Sequence, residues 1–250
     1  MSHDFYHKTG NAIMNSLFPV VILAGGLGTR LQPFTAHTPK ILVPVLHQPF
    51  VLHQLHLLKQ KGIKKILFCI GYQGQQIEKV VGDGTPLGLE IQYHYDGDAL
   101  LGTAGAIRAA LPQLAESFFI LYGDAYLPCD YHALQQAFLA SHQPALMSVF
   151  KNQNAYDRSN VLFKNNCLLA YNKAHPTPDM QHIDYGLGLF HRAIFESLPL
   201  HQPYDLATLY QDLAEKKQLA AYEVTERFYE VGSWRGILDL ENHLKEKSHV

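Results

Sequence analysis

Three glycines, an arginine and a lysine in one short stretch set the first chemical expectation for this chain. The apolar run Val20–Leu23 breaks into Ala24-Gly25-Gly26-Leu27-Gly28-Thr29-Arg30, and Pro33, Pro39 and Lys40 follow. Glycines directly after a buried strand leave backbone N–H groups bare at the end of a sheet, where no Cβ keeps phosphate oxygens away. Arg30 and Lys40 place fixed positive charge in the same region, so the chemistry expected is phosphate handling. The turn is not a P-loop, because no Gly-Lys-Ser/Thr occurs in the chain. It is a poor dinucleotide fingerprint, because Leu31 stands at the third glycine position and Pro33 opposes a helix starting there. The bland alternative is a glycine turn that only closes a strand–loop junction. The two cations in register with the turn weigh against it.

Such a site needs a sheet to hold it. Val20–Leu23, Lys65–Ile70, Glu90–Tyr95 and Ser117–Tyr122 read as strands, with helices predicted over Phe50–Lys61, Gln73–Val81 and Thr103–Leu111. In the first of these helices Val51, Leu55 and Leu58 keep helical spacing and Gly62 is the stop signal. Strand–helix alternation implies parallel pairing through right-handed crossovers. The predicted fold class is α/β, a doubly wound, mixed but mainly parallel sheet in a three-layer, Rossmann-like arrangement. Past Tyr131 the pattern loosens. A helix over Tyr131–Ser141 precedes a strand at Ala145–Phe150. Strands Asn160–Lys164 and Leu168–Asn172 turn at Asn165-Asn166 as a hairpin. Ile183–Phe190, Ala220–Val224 and Phe228–Val231 are further strands, and Asp205–Lys217 and Ser233–Lys245 are helices. With no linker or repeat, the expectation is an N-terminal extension, 1–18, and one domain over 19–247 with no appended second domain. Met14 is an alternative start.

Bulk properties exclude several classes. A formal net charge of −2 leaves no broad basic surface for nucleic acid. No apolar run approaches the ~20 residues that span a bilayer, and the first residues lack a signal-peptide core. Three scattered cysteines, Cys69, Cys129 and Cys167, fit a reducing cytoplasm and form neither a disulfide framework nor a metal motif. His53 and His56 share a helix face that reads as solvated surface rather than a metal pair. A homo-oligomer is compatible with the sequence, although nothing in it marks an interface.

In open α/β sheets ligands bind beyond the carboxyl ends of the strands. Gly71-Tyr72-Gln73-Gly74, Leu100 to Gly105, and Gly123-Asp124 all fall at such ends. A carboxylate directly after an apolar strand, as at Asp124, can hold a divalent cation against phosphate oxygens.

These residues meet a known pattern. Gly25-Gly26, Gly28-Thr29-Arg30-Leu31, Pro33, Thr35 and Pro39-Lys40 together resemble the signature of the sugar-1-phosphate nucleotidyltransferases, also called nucleotide-sugar pyrophosphorylases. Leu101-Gly102-Thr103-Ala104-Gly105 is similar to that family's base-contacting loop. Gly123-Asp124 and Tyr229-Glu230-Val231-Gly232-Ser233 are similar to its two metal motifs. The likeness runs from Val20 to about Leu244. It implies a nucleotide-binding half over about 19–128 and a sugar-phosphate-binding half over about 129–247. It also implies the roles. Leu23, Ala24, Gly25, Gly26, Gly28 and Thr29 would hold the nucleotide, with Gly102 and Thr103 near the base. Arg30 would bind the outgoing pyrophosphate and Lys40 the phosphates of both substrates. Asp124 and Glu230 would hold Mg2+. Lys173, Asp184, Gly186 and Asn160 would contact the sugar phosphate. The substrates implied are a nucleoside triphosphate and a sugar 1-phosphate, which needs no general base because the attacking phosphate is already ionised.

Two positions depart from the family pattern. Glu230 stands where Asp is usual, its reach differing by ~1.5 Å for one extra bond. Asn172 stands before Lys173 where many members have Glu, which points to a different sugar. Leu101–Gly105 and Ile183-Asp184-Tyr185-Gly186 resemble the mannose- and heptose-1-phosphate guanylyltransferase branch, implying GTP. The alternatives are uridylyl or thymidylyl transfer to another, amino-sugar, 1-phosphate, and a non-catalytic sensor of nucleotide sugars. Among lesser signals, Cys129 reads as buried and inert, Tyr229 and Trp234 as packed under the last helix, and Arg158 as a further sugar contact.

Overall fold

In β1 (Val20–Leu23) the first three residues are fully buried, and their side chains divide between two clusters: Val20 and Ile22 join one, Val21 the other. A strand apolar on both faces has to be covered on both sides, which a parallel sheet flanked by helices provides. The same split recurs along the neighbouring strands. Ile66, Phe68 and Ile70 face one cluster and Leu67 and Cys69 the other. The protein is described here from a computed structural model covering residues 16–248, except 27–30, 32–34, 36, 72, 98–100 and 201.

The chain runs from β1 through α1 (Phe50–Gln60), β2 (Lys65–Ile70), α2 (Gly74–Val81), β3 (Glu90–Tyr95), α3 (Gly102–Ala110), β4 (Ser117–Tyr122) and β5 (Ala125–Tyr126). It continues with α4 (Tyr131–Ser141), β6 (Ala145–Lys151), β7 (Val161–Lys164), β8 (Cys167–Tyr171), β9 (His182–His191) and α5 (Ala193–Glu196). The last elements are α6 (Leu206–Glu215), β10 (Leu219–Val224), β11 (Tyr229–Glu230) and α7 (Trp234–Ser248).

The main sheet runs β8-β7-β9-β4-β1-β2-β3, with β6 joining β9 and β10 joining β6. β4, β1, β2 and β3 pair in parallel, as do β6 and β10. β9 runs antiparallel to β4 and carries the sheet into the second half, so one sheet spans both halves. The predicted α/β class and the mixed sheet are as observed. The chain moves outward from β1 to β2 and β3, then returns to β4 on the other side of β1. That reversal opens a crevice beyond the carboxyl ends of β1 and β4.

Local chemistry accounts for the element ends. Asp130 caps α4 by accepting the N–H groups of His132 at 2.9 Å and Ala133 at 3.1 Å. Asn165 and Asn166 both take positive φ, 52° and 59°, at the predicted hairpin between β7 and β8. The strand expected near Phe228–Val231 is shorter and leaves the main sheet: β11 pairs antiparallel with β5. Sequence reading also missed β5, α5 and a small hairpin joining Pro44–Val45 to Gln48–Pro49. Each is too short to show a period.

Candidate active site

A cavity of about 780 Å³ lies over the carboxyl ends of β1, β2, β3 and β4. Leu23, Ala24, Gly25 and Gly26 form its floor after β1, and Lys40, Gly102, Thr103 and Asp124 line it. Eight residues expected from sequence therefore meet in one space of a size suited to a nucleotide. Gly28, Thr29 and Arg30, together with Pro33, Tyr72, Leu100 and Met14, lie outside the described residues.

Close backbone approach explains the glycines. A Cβ on Gly123 would stand 2.7 Å from the Leu23 carbonyl oxygen, so Gly123 lets the β4 loop pass over the end of β1 and delivers Asp124 into the cavity. There Asp124 forms an ion pair with Lys40, which reaches in from a short helical turn, Lys40–Leu42, after Pro39. Both side chains are about one-fifth exposed. The pair puts a cation and an anion where β1 and β4 end side by side.

The opposite wall is the loop entering α3. Gly102 has φ +69°, and a Cβ there would come within 2.7 Å of the Tyr204 carbonyl oxygen. That carbonyl accepts the N–H groups of Ala104 and Gly105 at 2.9 and 3.1 Å, while Tyr204 donates its own N–H to Leu101. The Thr103 hydroxyl accepts the Leu206 N–H at 2.7 Å, so it caps α6. Thr103 is thus on the cavity wall as expected, but its hydroxyl serves the helix.

Two cavity carboxylates escaped sequence reading. Asp205 lies at the rim where α6 begins. Asp96 follows β3 as Asp124 follows β4, the signal that could have found it. Its N–H donates to Ile70, and its Oδ1 is buried without a partner. Burial raises its carboxyl to about 6.

The four residues assigned to sugar phosphate do not line this cavity; they cluster on and beside β9. Asn160 Oδ1 accepts the Asp184 N–H at 2.9 Å, and Asp184 Oδ1 accepts the Gly186 N–H at 3.0 Å. The register between β9 and β6 slips between Asp184 and Gly188, and Gly186 takes φ +96°. Burial pushes the Asp184 carboxyl up, opposed by the Gly186 N–H and by Lys173. The Lys173 ammonium lies 5.9 Å from the centroid of the Tyr122 ring, and Tyr122 lines the main cavity. Tyr122 is where the two groups of residues meet.

Glu230 has other partners than a joint site with Asp124 would require. Its backbone is close, since the Val231 N–H donates to the Asp124 carbonyl at 2.9 Å. Its carboxylate instead accepts the Gly232 N–H and the Ser233 hydroxyl, and it borders a separate small cavity beside Tyr156 and Arg227. Tyr229 stacks on His243 of α7 at 4.3 Å, as expected, whereas Trp234, the first residue of α7, is 60% exposed and not packed beneath it. Cys129 is fully buried, with its thiol pushed up to about 12, so it is inert. His53 is half-buried and meets the Val45 carbonyl at 2.8 Å, so only His56 is the solvated residue expected. Arg158 lies at an open surface cleft with Pro176 and Pro178.

The geometry can be set beside known proteins. A family model described as nucleotidyl transferase matches residues 19–160. The chain belongs to the nucleotidyl transferase family. Its relatives include the mannose-1-phosphate guanylyltransferase catalytic subunit beta of Drosophila melanogaster, 26% identical over 92% of this chain and 63% of that protein. The chain therefore spans under two thirds of the fly protein's length. The N-acetylmuramate alpha-1-phosphate uridylyltransferase of Neisseria meningitidis is 38% identical over 46% of this chain and 51% of its own length. A solved structure of HddC from Yersinia pseudotuberculosis, complexed with GMP-PN, shares the fold, with a TM-score of 0.75, 23% identity and coverage of 91% and 100% of the two chains.

Members of this family generally use a divalent metal. Among the described residues no group of three or more His, Cys, Asp or Glu side chains converges. An all-protein cage is absent from that set. A single cavity carboxylate, completed by substrate phosphates and water, fits a small hard cation such as Mg2+.

Proposed function

We propose that this nucleotidyl transferase moves a nucleoside monophosphate from a nucleoside triphosphate to a sugar 1-phosphate, releasing pyrophosphate. The observation that carries the reading is the Lys40–Asp124 pair set in a cavity floored by glycine backbone. The Ala24 N–H is taken by the Cys69 carbonyl at 2.9 Å, so the N–H groups of Gly25 and Gly26 would take up the triphosphate, and Lys40 would turn from Asp124 to the phosphates. Arg30 would meet the leaving pyrophosphate. Asp124 would hold Mg2+, which would supply positive charge to the reacting phosphates. Lys173, with Asp184, Gly186 and Asn160 around it, would seat the sugar phosphate across Tyr122. An ionised phosphate oxygen of the sugar attacks the α-phosphorus in line, and the bond to the β-phosphate oxygen breaks. Two polyanions must meet, so fixed positive charge dominates the rate and no base is needed.

Asp96 lines the cavity and bears on the choice of nucleotide. An ionised carboxylate only accepts hydrogen bonds, so a base that meets it would need a ring N–H on the pairing edge, which guanine, uracil and thymine have and adenine and cytosine lack. Guanine presents two adjacent donors, which supports GTP with a mannose- or heptose-like 1-phosphate. The Neisseria relative and the same acceptor support UTP with another sugar as a second reading. A cytoplasmic setting suits the three free cysteines.

The test is pyrophosphate release with Mg2+ across GTP, UTP, dTTP, ATP and CTP, each against a panel of mannose, heptose, glucose and N-acetylated sugar 1-phosphates. Release with one pair is expected. Silence with every pair, alongside measurable nucleotide binding, would replace the transferase with a sensor.

A further inference from the structure

Glu230 occupies a metal-motif position, yet its side chain is spent on the chain's own backbone. One carboxylate oxygen accepts the Gly232 N–H and the other the Ser233 hydroxyl, the latter at 2.6 Å. Ser233 in turn caps α7, its hydroxyl oxygen accepting the Gly236 N–H at 3.0 Å. Gly236 leaves the space this needs, because a Cβ there would run into Glu230. Between these contacts the Val231 N–H holds the carbonyl of Asp124 at 2.9 Å, and Glu230 pairs with Ala125 across the β11–β5 ladder. The carboxylate thus locks a turn whose next backbone group fixes the residue proposed to hold the cation. The extra carbon relative to Asp gives it the reach to do so, about 1.5 Å.

We propose that Glu230 is a positioning residue and not a metal ligand: it pins the Gly232-Ser233 turn, and through Val231 it sets Asp124, leaving Asp124 as the one carboxylate of the two metal motifs that holds the cation. This rests on the reading of Asp124 as the cation holder.

The two roles predict opposite outcomes for two conservative variants. Gln keeps the length and an acceptor for Gly232 or Ser233 but loses the charge. Asp keeps the charge but draws it back by one carbon. Affinity for Mn2+ is measured by electron paramagnetic resonance, with and without GTP and UTP, together with thermal midpoints. Glu230→Gln is expected to bind Mn2+ within about 3-fold of wild type and, having kept one of the two acceptors, to melt closer to wild type than Glu230→Asp. Glu230→Asp is expected to lose about 10-fold in affinity, the loss usual for a group that orients a ligand, and to melt lower. Asp124→Asn, the control, is expected to lose far more. The reverse order, with Glu230→Asp equal to wild type and Glu230→Gln losing Mn2+ as Asp124→Asn does, would overturn the inference by making Glu230 a ligand. Undiminished affinity in Asp124→Asn would show instead that the site reading beneath it is wrong.

Discussion

At the scale of single residues, Lys40 and Asp124 matter because each satisfies the other before any ligand arrives. Both are mostly shielded from solvent, so removing one partner leaves the other charge poorly compensated. Asp124→Asn is expected to cut pyrophosphate release by about 1,000-fold or more, the scale for losing a main source of transition-state charge stabilisation. Lys40→Met is expected to cut kcat/KM by about 100-fold or more with the chain still folded, read from turnover and circular dichroism together. Retention of more than a tenth of wild-type turnover in either variant would remove that residue from the chemistry. Asp96 makes a prediction in pH. Burial raises its carboxyl from the usual 3.8 to about 6, so the folded state favours the neutral acid. Its stabilising contribution is complete below about pH 4 and is lost as pH rises through about 6. Asp96→Asn does not titrate, so its melting midpoint should gain on wild type between about pH 4 and 7 and hold level above. A difference that stays flat across that range would contradict the buried carboxylate. The same variant should lose discrimination for GTP or UTP over ATP.

At the scale of elements, the loop before α3 and the start of α6 are one unit, although about a hundred residues separate Thr103 from Leu206. Tyr204 exchanges backbone hydrogen bonds with Leu101, Ala104 and Gly105, and Thr103 caps the helix of its partner. Thr103→Val should destabilise the fold by about 1 kcal/mol in urea unfolding, the usual cost of losing a cap, because Val cannot accept the Leu206 N–H. A loss near zero would mean that water replaces the hydroxyl without penalty. Little of this was legible in advance. The Gly102-Thr103 pair could be placed near a ligand from its position after a strand. The carbonyl that Gly102 makes room for comes from Tyr204, and no local pattern points there.

At the scale of the molecule, one sheet joins a parallel half and a largely antiparallel half, and the cavity sits where the chain reverses direction around β1. Tyr122, at the end of β4, has the cavity on one side and Lys173 and Asp184 on the other. Nucleotide bound in the cavity should therefore protect distant segments together. With Mg2+ and nucleotide at about 100 times Kd, the unfolding free energy should rise by about 2.7 kcal/mol. Hydrogen exchange should slow jointly after β1, along Leu101–Ala106 and at the start of α6. Protection confined to the β1 turn would show that the clasp does not report on the site.

The sequence by itself determined the α/β alternation, the strand ends that carry glycine and Asp124, and the likeness that names the reaction class. These are local signals: hydrophobic period, glycine after a strand, and residue types at fixed spacing. Tertiary structure alone decided that Lys40 meets Asp124, that Asp96 and Asp205 share their cavity, and that Thr103 caps α6. It also decided that the Glu230 carboxylate turns back on Gly232 and Ser233. Each of those depends on which side a chain passes and which hydrogen bond is nearer. A side chain with several possible partners is committed by the packing around it, and that packing is not written in the residue or in its neighbours along the chain.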